Sequence, residues 1–259
     1  MYLTWFDSNS WLIEVGDTHI LLDPWLVDSL VFGKLPWLFK GTRSRERIIP
    51  SKIDLILLSQ GLEDHAHPAT LKQLDRDIPV FASPSAAKVV RDLGYTQIIT
   101  LEHGQNHRWG DRLNIQAVPG SPLGPLVTEN GYIIRDRILE TSLYYEPHGH
   151  HSEMLKTQGP IDVVISPVVD LSLPFGATII QGFSSALQMC EWLQPQVLIP
   201  TAAGGDVEFT GLLNNFIEAR GSIDAIRVKL AKANLPTQLL EPTPGERFAV
   251  PIEQSSPSL

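Results

Sequence analysis

Apolar residues along this chain fall in short runs separated by polar turns, and two rhythms can be read from them. YLTWF, WLIEV and HILLD, at 2–6, 11–15 and 19–23, are β-like runs divided by D-S-N-S and G-D-T, which predicts an antiparallel meander. The continuous apolar run Leu55 to Leu58 predicts a strand covered on both faces. Helices are predicted over 68–76 and 84–94, the second opening at Ser83-Pro84. Short strands are expected at 79–81, 97–101, 113–118, 132–134 and 139–145, with a Pro/Gly-rich loop at 119–125. From 161 the rhythm becomes βα: strands at 162–166 and 196–199, and a helix at 184–193 with Ser184 as its N-cap. Helices at 207–219 and 223–234 follow, the latter capped by Ser222, with closing strands at 238–240 and 248–250. Residues 26–50 carry Phe32, Leu35, Trp37, Leu38 and Phe39 around Gly33 and Pro36, then a basic tail. They predict a long aromatic loop: a lid over a pocket, a surface that touches lipid or a partner, or a packed edge. The Ser/Pro-rich tail 252–259 is expected to fray. Two β-sheets face to face with helices outside accommodate all of this in a single domain, 1–259.

Composition narrows the function classes. With 43% hydrophobic and 19% charged residues, the chain has the make-up of a globular protein rather than a disordered one. A net charge of −9, with basic residues no denser than Arg43, Arg45 and Arg47, argues against a nucleic-acid partner, which needs cations for its phosphates. The single cysteine, Cys190, excludes an intrachain disulfide, fits a reducing compartment and reads as a buried thiol. MYLTWFDSNS has no basic, apolar leader pattern, and no apolar run approaches the roughly 18 residues of a transmembrane span. A cytoplasmic location and a small-molecule partner are the expectation.

The candidate chemistry sits in Leu55 to Leu71, LILLSQGLEDHAHPATL. The apolar run stops at Ser59, and Gln60, Glu63, Asp64, His65 and His67 follow before Pro68. Carboxylates and imidazoles gathered where a strand gives way to a loop point to a metal or acid–base site. Asp23, in Asp23-Pro24-Trp25, reads either as a turn former or as an acceptor that orients an imidazole. A second histidine group, Glu146-Pro147-His148-Gly149-His150-His151, ends the strand at 139–145, and either a solvated turn or a metal site explains it.

In this order, LTWFDSNSWLIEV, HILLDPW, DLILLSQGLEDHAHPATL, NGYII, LYYEPHG, PIDVVISPV and VLIPT resemble the metallo-β-lactamase fold, in particular its ascorbate-6-phosphate lactonase-like branch. That resemblance implies an α+β, four-layer αββα sandwich. It also implies a two-metal site built on H-x-H-x-D-H, but here those positions read Gln60-Gly61-Leu62-Glu63-Asp64-His65. Asp64 and His65 survive; Gln60 and Leu62 replace the first histidine pair. No histidine stands at 119–122, Thr201 takes the place of the last one, and Glu146 or His148 takes that of the bridging aspartate. The resemblance then implies one divalent metal at most, zinc or else manganese or iron, held by Asp64, His65 and either Glu146 or His148. Asp64 is the residue on which catalysis would depend. Asp23, Gln60, His67, Tyr145 and Thr201 would surround it.

Three function classes follow. One is a single-metal hydrolase of a small ester, lactone or phosphoester. The second is a binding protein without metal, its cleft walled by the loop 32–39 and by Tyr144, Tyr145 and His148. The third is a serine hydrolase at Gly182-Phe183-Ser184-Ser185-Ala186, which resembles a nucleophile elbow; that arrangement needs a histidine after the serine, and none follows Ser184.

Overall fold

The computed structural model describes residues 1–124, 126–174 and 177–253. Two seven-stranded mixed sheets form its body. In the first, the strands Tyr2–Trp5, Trp11–Val15 and Thr18–Leu22 make the expected antiparallel meander, with Arg247–Ala249 added at one edge. Leu55–Leu58, Val80–Ala82 and Ile98–Thr100 continue it in parallel. The second sheet runs Gln238–Leu239, Val197–Ile199, Val163–Ile165, Thr141–Tyr145, Val127–Asp136, Leu113–Leu123 and Asn106–Trp109.

Strand alternation distributes the apolar side chains over three layers of contact. Ile13, Ile20, Leu55 and Leu57 face Ile115, Ile134, Val163 and Ile199 between the sheets. Leu21, Ile56 and Leu58 point the other way, against Leu71 of the helix Pro68–Gln73 and Val90 of the helix Pro84–Asp92. On the far side, Ile133, Tyr144 and Val164 meet Met189 of the helix Gly182–Leu193 and Ile226 of the helix Ile223–Lys232. This is the αββα sandwich. The central strands are apolar on both faces because both faces are covered.

Several local expectations are corrected. Residues 207–219 are not helical: Val207–Thr210 pairs with Lys40–Arg43, which also pairs with Leu30–Val31. Gly211 breaks the helical pattern at φ 107°, and a Cβ there would lie 2.7 Å from the Leu38 carbonyl oxygen. The loop 26–50 is thereby partly a three-stranded sheet. Within it Phe39 stacks on Phe209, while Trp37 stays 63% exposed. The stretch 119–125 is strand up to Leu123, with a register shift between Pro119 and Pro122 that accommodates both prolines. Asn106–Trp109 and Asp170–Leu173 are strands that the apolar pattern does not announce.

The helix at 184–193 begins earlier, at Gly182, and its N-cap is Gln181 rather than Ser184. A Cβ at Gly182 would sit 2.3 Å from the Pro167 carbonyl, so only glycine fits this junction. Ser184 instead pairs with the exposed-side carboxylate of Asp170, its Oγ at 3.2 Å. Cys190 is buried, and burial pushes its thiol up to about 12. The tail 252–259 passes out of the described residues after 253. No helix among the described residues is long and apolar enough to cross a membrane.

Candidate metal centre

The site forms where the first sheet's parallel strands end against the second sheet. Asp23 follows Leu22 with φ 41°, a left-handed conformation that Asp tolerates better than most residues, and its side chain is fully buried. From there it accepts four hydrogen bonds. Ser59 gives its amide to Oδ1 at 2.7 Å and its hydroxyl to Oδ2 at 2.5 Å. Tyr145 donates its hydroxyl to Oδ2 at 2.6 Å, and His65 Nδ1 does so at 2.7 Å. Asp23 is therefore the acceptor that orients an imidazole as well as a turn residue. It keeps the His65 proton on Nδ1 and presents Nε2 to the site, the arrangement seen behind metal-ligating histidines.

His65 Nε2 lies 3.1 Å from Asp64 Oδ2 and 3.4 Å from Asn9 Nδ2. Burial works against charge on His65, but the carboxylates of Asp64 and Asp23 outweigh it and raise the imidazole to about 10. Burial likewise opposes the Asp64 carboxylate, and His65 overcomes this to hold it below the usual range. His148 closes the group, its ring centroid 5.2 Å from that of His65. Burial and the neighbouring His65 depress it to about 3, so its imidazole is neutral. Gln60 Nε2 approaches His148 Nδ1 at 3.1 Å, and Ser121 Oγ approaches the same atom at 3.3 Å. One donor atom each from Asp64, His65 and His148 lies within 4.8 Å of the others.

Of the two residues expected to complete the set, the structure brings His148 to the pair and turns Glu146 elsewhere. Glu146 Oε2 accepts from the backbone amides of His148 at 3.1 Å and His150 at 2.7 Å, fixing the turn that carries His148. Burial raises its carboxyl to about 8. His67 also stays out: it caps the helix Pro68–Gln73, its Nδ1 accepting from the Thr70 amide, with Trp25 beside it. Thr201 bridges Trp11 Nε1 and the Ser8 carbonyl, each at 3.0 Å. Tyr144 does not wall the cleft but packs in the outer core, its hydroxyl 3.1 Å from His151 Nδ1. Asn9, Ser59 and Ser121 belong to the site although no motif marked them. Their signal is position alone, in the D-S-N-S turn, at the end of the apolar run and beside the strand bulge.

The donor set suits a divalent cation. Two imidazoles and a carboxylate form an N/O set of the kind that zinc, manganese and iron accept. Asp64 Oδ1 and Asn9 Oδ1 are buried without a partner among the described residues, and a cation or an ordered water would satisfy acceptor oxygens so placed. Next to the His148 turn, Pro119, Gly120, His150, His151, Ser152 and Gln181 line a cavity of about 300 Å³.

A family profile described as the beta-lactamase superfamily domain matches residues 2–202. The chain belongs to the beta-lactamase superfamily. Among solved structures it is similar to Igni18, a metallo hydrolase of the archaeon Ignicoccus hospitalis. Identity there is 17% and the TM-score 0.66, over 96% of this chain and 98% of that one. The isothiocyanate hydrolase of Delia radicum gut bacteria matches at 16% identity and TM-score 0.68, over 96% and 99% of the two chains. The metallo-beta-lactamase fold protein YhfI of Bacillus subtilis matches at 16% and 0.62, over 96% and 99%. These likenesses, at such identities, establish the shared fold. No curated protein matches the chain.

Proposed function

We propose that this superfamily member is a metal-dependent hydrolase with a reduced, single-metal site, acting on a small ester, lactone or phosphoester in the manner of the lactonase-like branch. The observation that carries this reading is the convergence of Asp64, His65 and His148, with buried Asp23 fixing His65 from behind. Asp64, His65 and His148 would hold the ion, zinc first, manganese or iron as alternatives. Three protein ligands leave a position free, and a bound divalent ion supplies Lewis acidity that activates water toward a carbonyl or phosphoryl centre. Asp23 and Tyr145 keep His65 oriented. Gln60, 3.1 Å from His148 Nδ1, would orient that ring for the ion, its amide able to present either nitrogen or oxygen according to which ring nitrogen carries the proton. Glu146, neutral below about 8, holds the turn without adding charge to the site.

A metal-free binding role is the second reading. The 3.1 Å contact between Asp64 and His65 favours it, since each already has a partner in the other. Elemental analysis of protein purified without chelator or metal-affinity resin separates the two. The expected result is about one equivalent of zinc, manganese or iron per chain, lost in Asp64→Ala and His148→Ala variants that keep the wild-type circular dichroism spectrum. Metal-free wild-type protein that also fails to take up added zinc overturns the hydrolase reading.

A further inference from the structure

Away from the candidate metal centre, the outward face of the second sheet changes character towards its edge. Apolar cover from the helices reaches Val118 and Ile133. Beyond them, Asn106, Arg108, Asn114, Arg135 and Arg137 line a cavity of about 480 Å³, larger than the one beside His148. The register explains why they meet. Asn114 lies opposite Arg108 on one neighbouring strand and opposite Arg135 on the other. Leu113 and Ile115, either side of Asn114, point into the core between the sheets, so the polar row occupies the opposite face. Arg137, two residues beyond Arg135, returns to that face.

The row is unbalanced in charge. Among the described residues, none of these three arginines pairs with a carboxylate, whereas adjacent Arg112 is matched by Asp136 at 2.6 Å. Their protein contacts are to neutral groups: Arg135 donates to the Gln158 carbonyl at 2.9 Å and Arg137 to the Asp111 carbonyl at 3.3 Å. Asn114 and Asn106 bond to each other at 3.1 Å, leaving further amide donors and acceptors at the cavity wall. A chain of net charge −9 has carboxylates to spare, yet this cavity gathers three uncompensated guanidinium groups. Like charges so placed repel one another until an anion occupies the space between them.

We propose that this face binds a small polyanion carrying linked phosphates, at a site separate from the candidate metal centre. Guanidinium forks match phosphate oxygens bidentately. Two strand spacings put the backbones of Arg108 and Arg135 roughly 10 Å apart, so the three groups engage successive phosphates of one ligand better than a single small anion. The cavity volume suits a compact ligand, within the roughly 300–1,000 Å³ of small-molecule sites.

Calorimetric titration of the full chain with tripolyphosphate, orthophosphate and a single-stranded oligonucleotide tests this. Tripolyphosphate should bind at least tenfold more tightly than orthophosphate, weaken as salt rises, and lose at least tenfold in the double variant Arg108→Gln, Arg137→Gln. Its binding should be retained in Asp64→Asn, which separates this face from the metal-ligand group. Four results overturn the proposal: no tripolyphosphate binding, binding indifferent to the arginine substitutions, binding lost only with Asp64→Asn, or an oligonucleotide whose affinity grows with length and exceeds that of tripolyphosphate. The last would make the face a nucleic-acid surface instead.

Discussion

At the scale of single residues, the decisive group is Asp23 rather than the more conspicuous Asp64. It is fully buried and accepts from Ser59 twice, from Tyr145 and from His65. Asp23→Asn isolates its charge, because Asn tolerates the same left-handed backbone and has a similar shape. One of the two carboxylates that hold His65 charged is then gone, and an amide NH2 faces donors that expect an acceptor. Breaking a buried charge pair on one side costs about 3–5 kcal/mol. Urea unfolding should show a loss of that order, and metal uptake should weaken with it. Unchanged stability would mean that His65 is neutral and the pair contributes little. Sequence already paired Asp64 with His65 as neighbours, and it offered Asp23 as an imidazole partner. It left Glu146 and His148 open because a shift of one or two residues in matching the family pattern exchanges them, and only the turn geometry shows that Glu146 Oε2 is spent on the backbone amides of His148 and His150.

At the scale of elements, the His148 turn depends on the start of the helix Gly182–Leu193. The Gln181 amide donates to the His148 carbonyl at 2.9 Å, and the Gln181 side-chain amide lies 2.9 Å from His150 Nδ1. The helix reaches this position because Gly182 packs its α-carbon against the Pro167 carbonyl. Gly182→Ala should displace the junction and cost about 1–3 kcal/mol from overpacking. The expected outcome is a lower Tm together with weaker metal retention, whereas Ser184→Ala, on the exposed side, should alter metal retention little. Full metal content in Gly182→Ala would show that the turn is held by Glu146 alone. The sequence reading placed the helix but began it two residues late, since serine is the commoner cap. Nothing local to Gly182 shows the carbonyl that excludes a side chain. The same blindness made 207–219 look helical: Leu212, Leu213 and Phe216 have helical spacing, but strand pairing with Lys40–Arg43 and the backbone of Leu38 decide otherwise.

For the molecule as a whole, acid stability carries a signature of the layered packing. His151, part-buried at the wall of the smaller cavity, lies between Tyr144 and Ser166, and burial depresses its imidazole to about 3. Unfolded, the same group titrates near about 6.5. Between those values the unfolded chain binds the extra proton, so stability is intact above about 6.5 and falls as the pH drops towards 3. The contribution is about 1.4 kcal/mol per pH unit at full effect. Wild type should therefore lose stability with acid more steeply than His151→Gln, read from urea midpoints across pH 7 to 4; parallel curves would show that the ring takes up its proton in the folded state. The apolar runs by themselves marked buried strands and outer helices, because strands covered on both faces need continuous apolar sequence and helices need a 3.6-residue stripe. The order of seven segments resembling the metallo-β-lactamase fold turned these into an αββα sandwich. The same sequence contained Asp64 and His65 as a local pair, with Gln60 and Leu62 at the positions where the resemblance expects histidines. Only the tertiary structure brought His148 within reach of them, gave His67 to a helix cap and Thr201 to Trp11 and Ser8, and gathered three scattered arginines at one cavity. Those outcomes depend on register between strands distant in sequence and on backbone contacts that have no local pattern.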